Sequence, residues 1–203
     1  IVSEMDSFIQ SKVWLPMEKK VNFYSVIIGT ELLNGRRNDA HFSFLNKQLL
    51  QRGWEQKASF VINDDPKLMF DIFTLIKSDP NSVMFCFGGI GATPDDYTRQ
   101  TAARAFTNYK MEFHEEAKNR ILNQFGEEAY PHRVNMAYLP SNAKLLTNVV
   151  NNVAGFYLED RFFFTPGFPS MSQAMVIEAL DLLYPKSIVT KYKRVLTVNA
   201  SEN

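Results

Sequence analysis

The sequence predicts a three-layer α/β/α sandwich with a mostly parallel central sheet. β-rich runs alternate with helical patterns along the chain, an order that is typical of strand–helix–strand units. The run Ser82–Phe87 is apolar without interruption, as expected for a parallel strand that helices cover on both faces. The chain has 203 residues, of which 45% are hydrophobic, and at this size about 70% of the unfolded surface can be buried. A stable core therefore needs neither a disulfide nor a metal.

Composition excludes several classes of protein. The 22 Lys and Arg residues balance the 22 Asp and Glu residues, so the chain lacks the basic excess of a nucleic-acid-binding domain. A single cysteine, Cys86, excludes an internal disulfide and a multi-cysteine zinc site. No apolar run approaches the ~18–20 residues that span a bilayer, and no signal peptide is visible. We expect a cytoplasmic protein without nucleic-acid or membrane partners.

We expect one domain with a short segment at each end. Residues 1–16 have no sustained period and end in a proline, which favours an N-terminal extension or a cloning remnant, with a real arm that packs on a partner as the alternative. The domain is expected over 17–185. Residues 186–203 form a tail with a strand-like stretch at 195–198, and we expect it to be the start of a truncated segment.

The first half of the chain supplies three strand–helix pairs. The predicted strands are 23–28, 54–62 and Ser82–Phe87, and the predicted helices are 38–52, 67–77 and a segment that ends near residue 106. Asn38 or Asp39 caps the first of these helices, and Gly53 ends it. Pro66 suits the first turn of the second helix.

The second half is less regular. The predicted helices are 113–125, a short one at 131–138, and a long last helix at 170–184, and the predicted strands are 144–147 and 161–165.

Three successive strands end in unusual residues, which are Gly29-Thr30-Glu31, Asn63-Asp64-Asp65 and Gly88-Gly89-Ile90-Gly91. The carboxyl ends of parallel strands meet at one edge of a sheet, where ligands bind in open α/β folds. The sequence therefore predicts a ligand crevice at this edge.

The third strand end favours phosphate. Its glycines allow close approach of the backbone to a ligand, and we expect Thr93, Pro94 and Asp96 to begin the following helix as N-cap, first residue and capping-box acid. Free N–H groups at such a terminus bind phosphate. A phosphate beside Asp95 and Asp96 would be repelled without a cation, so these acids imply a metal–phosphate ligand or no phosphate. The alternative is a tight turn with capping residues alone.

The other candidates also have structural alternatives. Asp64 and Asp65 either serve the crevice or cap the helix that begins at Pro66. Glu31 either hydrogen-bonds a base or pterin amide or is a solvated loop acid, and Arg36 and Arg37 either reach phosphates or are solvated.

The remaining chemistry-bearing residues show no catalytic pattern. His41, His114 and His132 lack metal-ligand spacing, and Cys86 within its apolar run is expected to be an inert hydrophobe.

Two later turns contain glycine or proline. One is the polar turn at 151–156 with Gly155, and the other is Pro166-Gly167-Phe168-Pro169, which follows an aromatic strand. Each is expected either to form a further wall of the crevice or to be a rigid turn.

Four of these motifs occur in order, namely GTELLNG at 29–35, GGIGATPDDYT at 88–98, NVAGF at 152–156 and PGFP at 166–169. Together they resemble the molybdopterin-binding (molybdenum-cofactor-biosynthesis-like) domain, particularly the N-terminal domain of the competence/damage-inducible protein A family. The resemblance covers about residues 21–184. It implies a three-layer α/β fold and a cleft for a phosphorylated pterin (molybdopterin-like) or an adenine nucleotide.

The resemblance implies roles for the strand-end residues. Asp64 and Asp96 match by position the acids that hold a metal–nucleotide in molybdopterin adenylyltransferases, with Mg²⁺, Mn²⁺ or Co²⁺ as the metal, and Asp95 would assist or activate water. The backbone from Gly89 to Thr93 would hold phosphate. The implied contacts to the ring system or ribose come from Gly29, Thr30 and Glu31, and further ligand contacts are implied for Gly88, Ile90, Gly91, Gly155, Pro166 and Gly167.

Three functions remain open. Binding of the pterin or nucleotide with a divalent metal is preferred, and a metal-dependent nucleotide pyrophosphatase acting on ADP-ribose or FAD, as in relatives of this branch, is the alternative. A non-catalytic, oligomeric interaction protein is the third. Relatives oligomerise, so a homodimer or homotrimer is expected. The sequence departs from the family at Ala92, where proline is common, and it ends before the amidase domain of the full-length competence protein, so that activity is not implied.

Overall fold

The structure is a computed structural model, and it describes residues 21–185. The expected N-terminal extension at 1–16, the tail at 186–203 and the strand-like stretch at 195–198 lie outside the described residues. Between residues 21 and 185, none of the helices has the length and apolar character needed to cross a membrane.

A six-stranded sheet forms the centre of the domain. In spatial order its strands are β2 (Gln56–Ile62), β1 (Asn22–Ile28), β3 (Ser82–Phe87), β8 (Phe162–Thr165), β7 (Gly155–Leu158) and β6 (Lys144–Leu146). The first four strands are parallel, and β7 and β6 continue the sheet antiparallel. A second sheet pairs β4 (Met111–Phe113) with β5 (Tyr138–Pro140) antiparallel.

Helices lie on both faces of the main sheet. They are α1 (Thr30–Leu33), α2 (His41–Gln51), α3 (Pro66–Ser78), α4 (Thr98–Phe106), α5 (Glu115–Phe125) and α6 (Pro169–Leu183), with 3₁₀ turns at Gly126–Ala129 and Arg133–Ala137. One core cluster joins the sheet to α3, α4 and α5, and the other joins its opposite face to α2 and α6. This arrangement confirms the predicted three-layer sandwich.

The pattern of burial follows the alternation of side chains along a strand. In β1, Val26 packs in the cluster with α3 while Ile27 packs in the cluster with α2. All six residues of β3 are buried, which confirms that the unbroken apolar run is a central strand. In β8, Phe163 stacks on Phe85 with ring centroids 4.8 Å apart, and Phe164 stacks on Phe156 of β7 at 4.6 Å.

Three predicted elements are wrong in detail. The helix expected to start at Thr93 and Pro94 begins at Thr98, because residues 91–97 form a separate turn that ends with Thr98 N–H donating to the Gly89 carbonyl. The polar turn expected at 151–156 ends earlier, because Gly155 and Phe156 already belong to strand β7. The short helix expected at 131–138 is a 3₁₀ turn followed by β5.

Topology places the strand ends together. Gly29, Asn63 and Gly88 follow the parallel strands β1, β2 and β3, and Pro166 follows β8. The four connections at the carboxyl edge of the sheet therefore surround one crevice, which is where this class of sheet binds ligands.

Candidate functional site

A cavity of about 480 Å³ lies at this edge of the sheet. It is defined here as the cleft, and its volume falls in the range of small-molecule sites. Residues predicted for ligand binding that line it are Gly29, Glu31, Asp64, Gly88, Gly89, Ile90, Gly91, Thr93, Asp96, Pro166 and Gly167. Thr30, Asp95 and Gly155 are not among the residues that line the cleft.

Asp64 is fixed by Thr30 across the ends of β1 and β2. The backbone N–H and the hydroxyl of Thr30 both donate to Asp64 Oδ2, at 3.0 and 2.7 Å. The neighbouring Asp65 has a different role, since its Oδ1 accepts from the N–H groups of Lys67 and Leu68 and caps α3. Asp65 is therefore the capping residue, and Asp64 is the member of the pair that lines the cleft.

The glycine loop after β3, residues 88–92, is held in place by α4. Gly88 and Gly89 have φ of 104° and 68°, a region that side chains rarely adopt. Thr98 secures both residues, because its hydroxyl donates to the Gly88 carbonyl at 3.0 Å and its N–H donates to the Gly89 carbonyl at 3.0 Å. A Cβ on Gly89 would lie 2.2 Å from Thr98 Oγ1, so this approach requires glycine.

The turn after the loop is closed by Asp96. Its Oδ2 accepts from the N–H of Thr93 at 2.8 Å and from the Thr93 hydroxyl. The two residues thus interact as a capping pair would, but they close a turn that precedes α4. The neighbouring Asp95 is exposed. The Thr93 side chain and the backbone N–H of Asp95 itself lower the pKa of the Asp95 carboxyl group.

Four consecutive backbone amides of the glycine loop have no partner within the described part of the chain. Gly88 N–H donates to the Thr165 carbonyl and Thr93 N–H to Asp96, but the N–H groups of residues 89–92 donate no hydrogen bond to residues 21–185. All four residues line the cleft. Successive free amides in a turn form a concavity that binds anions.

Arg99 lies behind this loop and is only 5% exposed. Its guanidinium donates to the carbonyl oxygens of Ile90 and Gly91. Burial lowers the pKa of Arg99, against the attraction of Asp96, which raises it. No pattern along the sequence indicates Arg99 as a functional residue, because an arginine in the first turn of a helix is not part of a recognisable motif.

The fourth wall of the cleft is the 166–169 loop. A Cβ on Gly167 would lie 3.3 Å from Gly88 Cα, so the two loops pack backbone to backbone. His41 supports this wall from behind: it is 5% exposed, and its Nε2 lies 3.2 Å from the Gly167 carbonyl. The ring also lies 3.3 Å from Ser172 Oγ through Nδ1 and stacks on Phe87 at 4.4 Å. Burial lowers the pKa of His41.

The 166–169 loop also brings an aromatic ring to the cleft. Phe168 lines the cleft and is 55% exposed, and the Arg37 guanidinium lies 5.2 Å from its ring centroid. Arg37 pairs with Glu31 at 3.8 Å. Of the two arginines weighed from the sequence, Arg37 therefore lines the cleft, whereas Arg36 does not.

Several cleft residues come from parts of the chain that carry no recognisable motif. The segment between α4 and β6 contributes Phe125, Arg133 and Met136, and the segment before β7 contributes Asn148 and Asn151. The polarity of the 151–156 turn indicated Asn151, but nothing in the spacing of residues 125–136 indicated a wall of the cleft.

Gly155 lies away from the cleft, in the interior of the domain. A Cβ there would meet Met175 Sδ at 2.7 Å and the Phe164 carbonyl at 2.8 Å. Close packing of β7 against α6 and β8 therefore explains this glycine, and the ligand contact expected for it finds no support in the geometry.

Asp64 and Asp96 provide carboxylate oxygens at the cleft, but they do not by themselves form a complete metal site. In residues 21–185, the hydrogen bonds that Asp64 and Asp96 accept all go to Oδ2, so Oδ1 of each is open. Carboxylate oxygens suit Mg²⁺ and similar ions, which keep several ligands from water and phosphate. Within the same residues, no group of three His, Cys, Asp or Glu side chains could hold a metal ion on its own.

Sequence comparisons identify relatives. Residues 25–184 match the family described as "probable molybdopterin binding domain". A protein of Caldivirga maquilingensis is 30% identical over 183 residues, which cover 83% of this chain and 70% of that protein. CinA-like proteins of Geotalea uraniireducens and Syntrophotalea carbinolica are 30% and 31% identical over 82% of this chain. The matches span only 40% and 42% of the length of those two relatives.

Solved structures share the fold. The protein CinA of unknown function from Thermoplasma acidophilum superposes with a TM-score of 0.71 at 24% identity, covering 79% of this chain and 97% of that one. The molybdopterin biosynthesis enzyme MoaB of Thermus thermophilus superposes with a TM-score of 0.52 at 14% identity, covering 82% and 92%. The fold, the ordered strand-end motifs and the match over 25–184 lead to one assignment: this chain belongs to the molybdopterin-binding domain family and is related within it to the CinA-like proteins.

Proposed function

We propose that this domain binds a phosphorylated pterin or an adenine nucleotide together with a divalent cation in the cleft. One observation carries the proposal: four consecutive amides with no partner in the described residues line the same cavity as the carboxylates of Asp64 and Asp96. Amides of this kind favour an anion. Carboxylates beside that anion favour a cation, so the combination fits a metal–phosphate ligand better than either ion alone.

The residues divide the ligand between them. The amides of residues 89–92 would hold the phosphate, and Oδ1 of Asp64 and of Asp96 would hold the cation. When bound, the cation would supply positive charge between the phosphate and the two carboxylates. Thr30 and Thr93 hold these carboxylates in place through Oδ2, so the open oxygens are already oriented before the ligand arrives.

The ring system would lie toward the 166–169 loop. Phe168 is an exposed aromatic ring at the cleft, with the Arg37 guanidinium over one of its faces. A flat heterocycle would stack on the opposite face. Glu31 offers carboxylate oxygens to the N–H groups of a pterin or adenine ring. Gly29 carries no side chain that would obstruct this approach, and Glu31 Oε2 lies 3.0 Å from the position a Cβ would take there.

A second function uses the same site. Metal-dependent cleavage of a pyrophosphate such as ADP-ribose or FAD also requires two carboxylates and a phosphate cradle, so Asp64, Asp96 and residues 89–92 support it. The role of Asp95 as the residue that assists or activates water has less support, because Asp95 is exposed and does not line the cleft. We further propose that the protein forms a homodimer or homotrimer, which light scattering of the purified protein would test.

Calorimetry tests the binding proposal. AMP and molybdopterin are titrated into the wild-type protein with and without Mn²⁺, and we expect binding that Mn²⁺ strengthens. Asp96→Asn should remove the effect of Mn²⁺, whereas Asp71→Asn, which removes an exposed carboxylate outside the cleft, should not. If neither ligand binds with any metal, or if Asp96→Asn behaves like wild type, the proposal is wrong.

Turnover separates binding from hydrolysis. The wild-type protein is incubated with ADP-ribose and with FAD in the presence of Mg²⁺, Mn²⁺ or Co²⁺, and release of AMP is measured. Binding without AMP release would leave the first function and exclude the second. Release of AMP by the Asp96→Asn variant at the wild-type rate would contradict the hydrolase proposal.

A further inference from the structure

Arg99 is a buried cation that forms no salt bridge with a carboxylate in the described part of the chain. Within residues 21–185 its Nε is also buried with no hydrogen-bond partner. The negative charge of Asp96 attracts Arg99, but the Asp96 carboxylate already accepts two hydrogen bonds from Thr93. Removing a guanidinium from water without a paired carboxylate is costly, so the charge calls for another explanation.

The partners of Arg99 are two carbonyl oxygens of the glycine loop. Its guanidinium donates to the carbonyls of Ile90 and Gly91. The first carbonyl shares a peptide group with the N–H of Gly91, and the second shares one with the N–H of Ala92.

Both of these peptide groups are trans. In a planar trans peptide the C=O and N–H bonds point in opposite directions. The N–H groups of Gly91 and Ala92 therefore point away from Arg99. Both residues line the cleft, whereas Arg99 lines only an adjoining cavity, which shares Ala92, Thr93 and Asp96 with the cleft. The geometry thus places a cation on the oxygen side of two peptide groups and the cleft beside their N–H side.

We propose that Arg99 is a positioning residue that makes the glycine loop selective for an anionic ligand group. This inference rests on the proposed function and adds to it the origin of the selectivity. A guanidinium keeps its positive charge at neutral pH. When it binds the two carbonyl oxygens, it polarises both peptide groups and makes their N–H groups stronger hydrogen-bond donors. It also fixes the orientation of both peptide planes, so the amides need no rearrangement when an anion binds.

The buried charge acts through the loop and does not contact the ligand. Arg99 should therefore affect the phosphate-bearing part of a ligand and leave the ring system unaffected. A residue that merely stabilised the fold would weaken all ligands alike. The difference between a charged and an uncharged ligand is the measurement that separates these two roles.

The experiment compares AMP with adenosine. Dissociation constants for both are measured in the wild-type protein and in Arg99→Lys, Arg99→Gln and Arg99→Met, with Mn²⁺ held constant. Arg104→Met serves as the matched control, because it removes an exposed arginine from the same helix. We expect Arg99→Met and Arg99→Gln to lose at least about tenfold in affinity for AMP, the equivalent of one charge-assisted hydrogen bond. Adenosine affinity should not change, and Arg99→Lys should recover part of the loss.

Each outcome is decisive. Equal affinity of Arg99→Gln and wild type for AMP would overturn the inference, and so would parallel losses for AMP and adenosine. If Arg99→Met does not fold, as judged by its near-UV circular dichroism, Arg99→Gln and Arg99→Lys carry the test, since both retain N–H donors for the carbonyls. If the wild-type protein binds neither AMP nor inorganic phosphate, the proposed function itself fails, which is a result distinct from failure of the role of Arg99.

Discussion

Thr30 donates two hydrogen bonds to a single oxygen of Asp64, one from its backbone N–H and one from its hydroxyl. The contact joins the ends of β1 and β2, which are 34 residues apart in the sequence. It fixes the carboxylate while leaving its other oxygen open, an arrangement that suits a ligand-binding acid better than a purely structural one.

The adjacent acids Asp64 and Asp65 should differ in their effects. Asp64→Asn keeps an acceptor for Thr30 but removes the charge, so we expect nearly unchanged stability and at least about tenfold weaker AMP binding in Mn²⁺. Asp65→Ala removes the cap of α3 and should cost about 1 kcal/mol of unfolding free energy without changing AMP affinity. Urea denaturation and calorimetry measure the two properties. Weakened AMP binding by Asp65→Ala alone would reverse the assignment.

Gly89 should be the least replaceable glycine of the loop. Gly89→Ala combines a φ of 68° with a 2.2 Å approach to Thr98 Oγ1, so we expect a loss of about 3 kcal/mol or more of unfolding free energy. Gly35→Ala is the matched control, because its φ is 77° and nothing lies within 4 Å of the added Cβ. It should cost about 1 kcal/mol. If urea denaturation gives equal losses of unfolding free energy for Gly89→Ala and Gly35→Ala, the contact with Thr98 is not the reason that position 89 requires glycine.

The free energy of unfolding should decrease as the pH is lowered, because His41 is buried in its neutral form. Burial holds the pKa of this histidine below its ordinary value of 6.5. Above pH 6.5, His41 is neutral in both the folded and the unfolded chain, so protonation of His41 does not reduce the free energy of unfolding. As the pH falls below 6.5, the unfolded chain binds a proton that the native state does not, and unfolding free energy is lost until the lowered native pKa is reached.

His41→Gln should reduce this pH dependence. Urea denaturation between pH 7.5 and 5 should give a slope shallower than wild type by up to about 1.4 kcal/mol per pH unit. Leu45→Ala is a suitable comparison, since it destabilises the same helix from a fully buried position and retains the histidine. Its slope should match that of wild type. A His41→Gln slope equal to that of wild type would contradict the role of the buried ring.

Gly155 should matter for packing and not for binding. Gly155→Ala should lower the unfolding free energy by about 2 kcal/mol, because the new Cβ meets Met175 Sδ and the Phe164 carbonyl. Met175→Ala removes the first of these contacts and leaves the second. A double-mutant cycle should therefore give a favourable coupling of about 1 kcal/mol and an incomplete rescue. If folded Gly155→Ala protein binds AMP more weakly than wild type, Gly155 contributes to ligand binding and the packing role alone is wrong.

The sequence was sufficient for the architecture because burial and periodicity are local properties. The apolar run at Ser82–Phe87 and the helical pattern at 38–52 predicted a central strand and a helix, and the structure contains both. The predicted start of α4 was wrong because Thr93 and Asp96 make the hydrogen bonds typical of a helix cap, although no helix begins there. Local sequence does not distinguish the two cases, since the same donor and acceptor close both.

The site was predicted where it depends on strand ends and was missed where it depends on tertiary position. Asp64 and Gly89 follow strands, so topology alone brought them together. Arg133 and Met136 reach the cleft from a 3₁₀ turn with no motif. Arg99 is distinguished by its burial and its carbonyl partners, and neither property is visible along the chain.

The pairing of β3 with β8 has a consequence for folding. Phe85 and Phe163 are register partners, and the connection between their strands contains α4, α5 and the second sheet. Loops of this length close slowly, and parallel pairing gives no stabilisation until closure is complete. The 166–169 wall of the cleft follows β8 directly, so a nascent or partly folded chain that lacks this pairing has no cleft. A chain therefore gains ligand affinity only when β3 and β8 have paired, and a bound ligand would stabilise the paired state over any form that lacks this pairing.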